Sequence, residues 1–283
     1  MEAIRGGSAP YNDAVYKGSA TRYSRSASTL QSYQRRARRQ HRYRGWFKRL
    51  TILFVLTLII LGAICLRQGY LPWQRPSKTT PAELVSLFER NPEARQFVLD
   101  YDKHHNDHPT IDLSEYAQSK IVPLFLQWDE RWGYTSYAGQ YFALSGCGPS
   151  CLSMAYIYLT GDTSMSPLAM GKFATAQGYA VNGEGSAWAL IFQGGRKLGL
   201  DVTEIPLQEA RVKANLEVGN PIICIMGKGD FTKTGHFIVL AGLKDDGIVV
   251  CDPNSKERSN KIWTYDELEG QIQNLWVLRK SQV

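Results

Sequence analysis

Cysteine and histidine are scarce in this sequence, since each occurs only five times in 283 residues. The chain contains no GxxxxGK[ST] loop, which argues against a P-loop nucleotide-binding domain. It also lacks two Cys/His pairs at the spacing of a structural zinc site. We therefore expect no cofactor and no metal, and any chemistry must come from ordinary side chains.

Acidic residues are rare in the first 49 positions, where 12 Lys and Arg stand against 2 acids, a net charge of +10. Residues 50–283 carry 21 basic and 24 acidic residues, a net charge of −3, so the basic character belongs to the N-terminus. Residues 1–49 also have little apolar content, which predicts a disordered tail. Such a tail suits nucleic acid or acidic lipid. The apolar segment that follows favours lipid, and we expect no nucleic-acid partner.

Charged residues are absent from residues 50–66, which read LTILFVLTLIILGAICL. A run of this length can span a bilayer, and tryptophan and tyrosine near its ends suit the membrane interfaces. The excess of Lys and Arg lies entirely on the N-terminal side, so the positive-inside rule places the tail in the cytoplasm and residues 67–283 outside. We expect a single-pass anchor in the cell membrane, with lipid contacts through residues 50–66 and the basic tail.

Two other interpretations of the apolar segment are a cleaved signal peptide and a helix buried in a protein core. A signal peptide is disfavoured by the long preceding region and by the lack of a small-x-small cleavage site. The sequence GAIC at 62–65 resembles a lipoprotein acceptor site, but Ile64 is bulky where such sites carry a small residue. An uncleaved membrane anchor fits best.

Residues 67–80 contain two prolines and are predicted to be a linker. The Thr-Pro pair at 80–81 then provides a helix cap and an N1 proline, so residues 81–120 are expected to form a helical extension. Within it, the run DKHHNDH at 102–108 brings three histidines together. A metal site is one interpretation, but the run lies in a polar loop without a partner motif, and a solvated loop is favoured.

Residues 121–283 carry most of the predicted regular structure and are expected to form one domain. The predicted helices are one beginning at about residue 147, one over 166–176, one over 188–198 and one over 207–218. The period then changes to that of strands, predicted over 221–226, 236–243, 248–251 and 274–278. Helices followed by an antiparallel sheet indicate an α+β fold.

The segment SGCGPSCLSM at 145–154 contains the candidate nucleophile. Proline is favoured in the first turn of a helix, so Pro149 places Cys147 at a helix start, between two glycines. Unpaired N–H groups and the positive end of the helix dipole lower the pKa of a thiol there. The glycines allow a substrate to approach closely. We predict that Cys147 is a catalytic nucleophile.

A thiol nucleophile needs a base and a third group that orients the base. His236 is the only histidine in the strand-rich part of the chain, and it begins a predicted strand. The turn DDG at 245–247 predicts a hairpin that places Asp252 at the same end of the neighbouring strand. We predict His236 as the base and Asp252 as its orienting acid, with Asn254 as the alternative.

An acyl-transfer site also needs hydrogen-bond donors for the oxyanion. The backbone N–H of Cys147 is one candidate donor. Gln127, which ends an apolar run 20 residues before the nucleophile, is predicted to be the second. An ordinary polar surface residue is the alternative interpretation of this glutamine.

Three further cysteines lie in the predicted domain: Cys151, Cys224 and Cys251. Cys151 stands one helical turn from Cys147, and a bridge between them would disable the nucleophile. Cys224 and Cys251 fall in apolar strands, where a disulfide and two buried thiols are both compatible with the pattern. We favour free thiols.

Several segments, taken in order, carry a family resemblance. They are residues 127–134 (QWDERWGY), 145–154, 229–232 (GDFT), 235–240 and 252–255 (DPNS). On these segments the chain resembles the bacteriocin-processing peptidase-like family of papain-fold cysteine peptidases (peptidase family C-39-like), over roughly 120–278. The resemblance implies a papain-like fold, in which a helix bearing the thiol packs on an antiparallel sheet bearing the histidine. It also implies the family's nucleophile at Cys147, base at His236, orienting acid at Asp252 and oxyanion glutamine at Gln127.

The best-known members of that family cleave double-glycine leaders in the cytoplasm and are fused to an export transporter. This chain has one predicted span and no nucleotide-binding loop, so that specificity is not carried over. We expect a membrane-anchored extracytoplasmic cysteine peptidase acting on peptides or proteins. The alternatives are a cell-wall amidase or transpeptidase acting on peptidoglycan stem peptides with the same site, and an inactive surface binding module.

Overall fold

The computed structural model describes residues 46–64 and 73–281, which fall in two compact units divided between Gly69 and Tyr70. The expected tail up to residue 45 and the first part of the expected linker lie outside the described residues. In the first unit, helix α1 (Trp46–Ile64) is long and apolar enough to cross a membrane by length and composition. It begins four residues before the uncharged run, at an aromatic residue.

The second unit begins with the helices of the N-terminal extension, which is defined here as residues 81–120. They are α2 (Ala82–Arg90), a 3-10 turn (Pro92–Ala94), α3 (Arg95–Leu99), α4 (Tyr101–His104) and a second 3-10 turn (Ser114–Tyr116). Asn91 separates α2 from the 3-10 turn, and its side-chain oxygen accepts a hydrogen bond from the backbone N–H of Glu93. This capping contact starts the next turn in the manner typical of asparagine.

The later helices follow the predicted order, with differences at particular points. They are α5 (Phe142–Ser145), α6 (Cys147–Thr160), α7 (Pro167–Ala176), α8 (Gly195–Lys197), α9 (Glu209–Glu217), α10 (Lys256–Asn260) and α11 (Tyr265–Glu269). The predicted helix over 188–198 is instead a π-helical turn, Leu190–Gly194, followed by α8. Helices α10 and α11 were not predicted, since each has only five residues and too short an apolar period to detect.

The strands form one six-stranded sheet and two short hairpins. They are β1 (Ser136–Tyr137), β2 (Gln140–Tyr141), β3 (Ala180–Val181), β4 (Gly185–Ser186), β5 (Leu200–Glu204), β6 (Ile222–Met226), β7 (His236–Lys244), β8 (Gly247–Cys251), β9 (Ile262–Trp263) and β10 (Ile272–Lys280). The sheet order is β5-β10-β6-β7-β8-β9, and every pair in it is antiparallel. The edge strands β5 and β9 were not predicted.

Both faces of the sheet are covered, because successive side chains of the central strands point to opposite sides. Ile223 and Val239 pack in the core that contains Leu152 of α6, and Ile222 packs in the core that contains Val212 of α9. Helix α6 therefore lies on one face and α9 on the other. This arrangement confirms the predicted α+β fold, with a thiol-bearing helix packed on an antiparallel sheet.

Candidate active site

Cys147 is the first residue of α6, and its side chain is half-buried. Gly146 separates α6 from α5, and a Cβ atom there would lie 2.2 Å from the ring of Phe142. Only glycine fits at this position without displacing that ring. The first N–H groups of a helix have no partner inside it, so those of Cys147 and Gly148 are available to an anion.

His236 begins β7, where it pairs with Met226 of β6. The imidazole is buried, and its Nε2 lies 2.7 Å from Oδ1 of Asp252. The Cys147 thiol lies close enough to the same imidazole for the two groups to shift each other's pKa. Because Nε2 is hydrogen-bonded to Asp252, Nδ1 is the ring nitrogen that can face the Cys147 sulfur. The structure thus brings together the three residues that the sequence singled out.

Asp252 follows β8 and is completely buried. Its Oδ1 accepts hydrogen bonds from His236 and, at 2.7 Å, from the backbone N–H of Asn254. Asn254, the alternative orienting residue, thus supports Asp252 through its backbone. The carboxylate, and not the Asn254 amide, is the partner of the imidazole.

The pairing of β7 with β8 differs from that of a regular hairpin. Near the turn, Lys244 pairs with Gly247, as a regular hairpin centred there requires. The register then shifts between Leu240 and Gly242, so Val239 pairs with Cys251. A bulge of this kind adds one residue to one strand and twists it. The shift moves Asp252 one position nearer to His236 than regular pairing would.

Arg258 is a member of the site that the sequence analysis missed. Its Nε donates to Oδ2 of Asp252 at 2.5 Å, so one carboxylate serves both an imidazole and a guanidinium. Arg258 lies on α10, where Ser255 is the N-cap and accepts a hydrogen bond from the Arg258 N–H at 3.0 Å. A serine followed by polar helix formers was the available signal for this short helix.

Gln127 is buried, which excludes the surface alternative. Its Nε2 donates to the backbone oxygen of Ala143 at 2.7 Å, and its backbone N–H donates to Pro253 O at 2.7 Å. The amide nitrogen carries two hydrogens, so one N–H remains after the bond to Ala143. Gln127 is thus bonded both to α5 and to Pro253, the residue that follows Asp252.

The charges of the site are strongly coupled. Burial would raise the pKa of the Cys147 thiol, but the His236 hydrogen bond and charge, with the N–H groups of Phe237 and Gly148, hold that pKa below its usual value. Burial would lower the pKa of His236, but Asp252 and Cys147 raise it to about 10. The pKa of Asp252 is lowered despite burial, because His236 and Arg258 both stabilise its charge. These shifts favour a thiolate beside an imidazolium.

The three other described cysteines have no such surroundings. Cys151, Cys224 and Cys251 are buried free thiols, and burial raises the pKa of each, that of Cys251 to about 12. They are packing residues of the two cores beside the sheet. Within residues 46–64 and 73–281, no cluster of three or more His, Cys, Asp or Glu side chains is arranged to hold a metal ion.

Comparisons with known proteins identify a family for the C-terminal part of the chain. The sequence profile of the Peptidase_C39 like family matches residues 120–283. No curated protein matches the chain. Nine chains of solved structures match it.

Two of these solved structures are peptidases. The peptidase domain of Streptococcus ComA, a bi-functional ABC transporter involved in a quorum sensing pathway, is 18% identical, with a TM-score of 0.40 over 56% of this chain and 99% of that chain. A C39-like peptidase from Bacillus anthracis is 15% identical, with a TM-score of 0.35 over 62% of this chain and 100% of that chain.

Proposed function

This chain belongs to the Peptidase_C39 like family, because its residues 120–283 match the family profile. We propose that it is a membrane-anchored cysteine peptidase. One observation carries the proposal. The Cys147 thiol, in the first turn of a helix, lies beside the His236 imidazole, whose Nε2 is hydrogen-bonded to the buried Asp252 carboxylate. An inactive binding module would have no need of a thiol placed beside a histidine that is paired with a carboxylate.

In the proposed mechanism the Cys147 thiolate attacks the carbonyl carbon of a peptide bond, and the carbonyl electron pair moves to oxygen. The Cys147 N–H and the free N–H of Gln127 donate to that oxyanion. As the oxyanion collapses, the C–N bond breaks and His236 gives its Nδ1 proton to the leaving amine. A thioester remains on Cys147.

Water completes the cycle by attacking the thioester, while neutral His236 accepts a proton from it. The C–S bond breaks, the carboxylic acid leaves, and the thiolate and imidazolium are restored. Asp252 keeps its negative charge throughout, holds the imidazole with Nδ1 toward sulfur and stabilises the imidazolium. No cofactor takes part in these steps.

The proposed location rests on α1 and on the charge distribution. Helix α1 has the length and composition of a membrane span, and the excess of Lys and Arg precedes it. By the positive-inside rule the N-terminus is cytoplasmic and the peptidase domain lies outside the cell membrane. Lipid is then a partner of α1 and of the basic tail, and the substrate is a peptide, a protein or a peptidoglycan stem peptide.

The pH dependence of the full chain tests the proposal. We expect kcat/KM for peptide hydrolysis to rise with pH through the lowered pKa of Cys147 and to fall again as His236 loses its proton near pH 10. Iodoacetamide should alkylate Cys147 with the same acid midpoint, well before it reacts with the buried Cys151, Cys224 or Cys251. Alkylation of Cys147 with a midpoint at or above about 8.5, the ordinary thiol value, would contradict the proposed ion pair.

The role of Gln127 gives a second prediction. Gln127→Ala should lower kcat by about 10²- to 10³-fold, because it removes one donor to the oxyanion. It should leave the pH midpoint of Cys147 alkylation unchanged, since His236 and Asp252 set the charge of the thiol. Gln208→Ala, at an exposed glutamine before α9, is the matched control. Full kcat in Gln127→Ala would exclude Gln127 as an oxyanion donor.

A further inference from the structure

The segment that carries Asp252 is held from two directions. We call residues 252–260 the Asp252 loop; it includes α10 and Arg258. From the C-terminal domain, the Gln127 N–H donates to Pro253 O at 2.7 Å and the Trp128 Nε1–H donates to Asn254 O at 3.3 Å. These contacts support only the first part of the loop. The second part is supported by the Trp263 Nε1–H, which donates to Arg258 O at 2.9 Å, and by the N-terminal extension.

Two residues of the extension hold the Asp252 loop with their side chains. Asn91 Nδ2 donates to the backbone oxygen of Asn254 and to its side-chain oxygen, each at 3.0 Å. The Glu93 carboxylate accepts from the Ser255 hydroxyl, from the Lys256 N–H at 2.6 Å and from the Glu257 N–H at 3.3 Å. Glu93 therefore satisfies the first N–H groups of α10, which have no partner inside the helix.

These contacts lead directly to the buried carboxylate. Glu93 fixes the first turn of α10, and Arg258 lies in that helix with its Nε on Asp252 Oδ2. The other oxygen of Asp252 is bonded to His236. A shift of α10 would move the guanidinium, and with it the division of the Asp252 charge between Arg258 and His236.

The extension is itself firmly attached. Leu84, Leu87 and Phe97 share one hydrophobic core with Leu126 and Trp128, the neighbours of Gln127. Tyr134 stacks on Phe97, with ring centroids 4.1 Å apart, and donates to the Phe97 backbone oxygen at 2.5 Å. Asn91 and Glu93 thus project from a packed support that also underlies the Gln127 side of the site.

We propose that Glu93 and Asn91 are positioning residues of the catalytic site, so that the N-terminal extension is a working part of the peptidase. This inference rests on the proposed function. Residues 81–119 lie outside the region that matches the family. The extension accordingly adds to the family domain a brace that holds Asp252, through α10, in its orientation toward His236.

The charged and titratable groups around Asp252 decide in which direction the ionisation of Cys147 changes when the brace is weakened. His236 faces Asp252 and Cys147, while Asp252 faces His236 and Arg258. When the brace is weakened, Asp252 stabilises the imidazolium less, and the imidazolium in turn stabilises the thiolate less. The thiol then needs a higher pH to ionise. A purely structural role of Glu93 would lower stability without moving this midpoint.

The test is Glu93→Gln in the full chain, with Glu89→Gln as a matched control on the exposed face of α2. We expect Glu93→Gln to lower kcat/KM about fivefold to tenfold. We also expect it to move the pH midpoint of Cys147 alkylation upward by about half a unit or more. Glu89→Gln should behave as the wild type in both measurements.

Asn91→Asp provides a second variant if Glu93→Gln does not fold. It keeps the oxygen that accepts from the Glu93 N–H but removes the donor to Asn254, and the same upward midpoint shift is expected. A wild-type midpoint in a folded Glu93→Gln or Asn91→Asp variant would overturn the inference. The proposed function would survive that result, because it fails only if wild-type Cys147 itself lacks a lowered midpoint or is dispensable for hydrolysis.

Discussion

Replacement of Cys147 by alanine is expected to lower kcat/KM for peptide hydrolysis at least about 10³-fold, because it removes the sulfur that forms the thioester. His236 and Asp252 keep their hydrogen bond in this variant, yet the imidazole has lost the nucleophile that it activates. The measurement uses the purified full chain and a peptide library, with new amino termini detected by mass spectrometry.

Cys151→Ala is the matched control, since it makes the same change one turn further along α6. This thiol is fully buried and its pKa is raised, so it takes no part in the proposed chemistry. We expect kcat/KM of the same order as the wild type and a loss of stability of about 1 kcal/mol from the small cavity. Equal activity of Cys147→Ala and wild type would refute the proposed peptidase mechanism.

Purified cell wall, digested in parallel, distinguishes the substrates. Amino groups released from the wall but not from the peptide library would assign the site to a peptidoglycan amidase, and new cross-links between stem peptides would assign it to a transpeptidase. The same Cys147 dependence is expected in either case, because both reactions pass through a thioester. If the wild type cleaves neither the peptide library nor the cell wall and forms no cross-links, a surface binding module is favoured.

Asp252→Asn is expected to lower kcat/KM by about 10²- to 10⁴-fold, although the side chain keeps its shape. The carboxylate raises the pKa of the buried His236; without its charge, burial favours neutral imidazole and the thiolate loses its partner. The alkylation midpoint of Cys147 should therefore move upward as well. Arg258 also loses its carboxylate, which should lower the free energy of unfolding by about 1–2 kcal/mol.

Asp246→Asn serves as the control for Asp252→Asn. Asp246 is exposed in the β7–β8 turn with a φ of 63°, a left-handed conformation that asparagine adopts readily. Activity and stability should stay close to those of the wild type. Wild-type kcat/KM and an unchanged alkylation midpoint in Asp252→Asn would remove Asp252 from the mechanism. Asn254 would then be the candidate for the residue that orients His236.

The start and end of the thiol helix were predictable because local residues govern them. The Gly-Cys-Gly-Pro sequence starts α6 at Cys147, and Gly161, with a φ of 74°, ends it. Helix α7 begins at Pro167 behind the Ser166 cap for the same kind of reason. The continuous apolar run FIVLA at 237–241 likewise placed His236 at the start of β7.

The hairpin register was only partly predictable. Counting outward from the turn gives the pairs nearest to it, but the bulge between Leu240 and Gly242 changes every pair beyond. The apolar pattern alone does not locate that irregularity, because it depends on how β7 and β8 pack against the rest of the sheet.

The sequence alone determined which groups are available for chemistry. They are a thiol at a helix start, one histidine in the strand-rich region, an acid beyond the next turn and a glutamine at the end of an apolar run. Each follows from residue type and short-range spacing. Only the tertiary structure decided that the Asp252 carboxylate binds Arg258 as well as His236. It also decided that Glu93 caps α10 from 163 positions away. Such contacts depend on how whole elements pack, since no local propensity joins residues so distant along the chain.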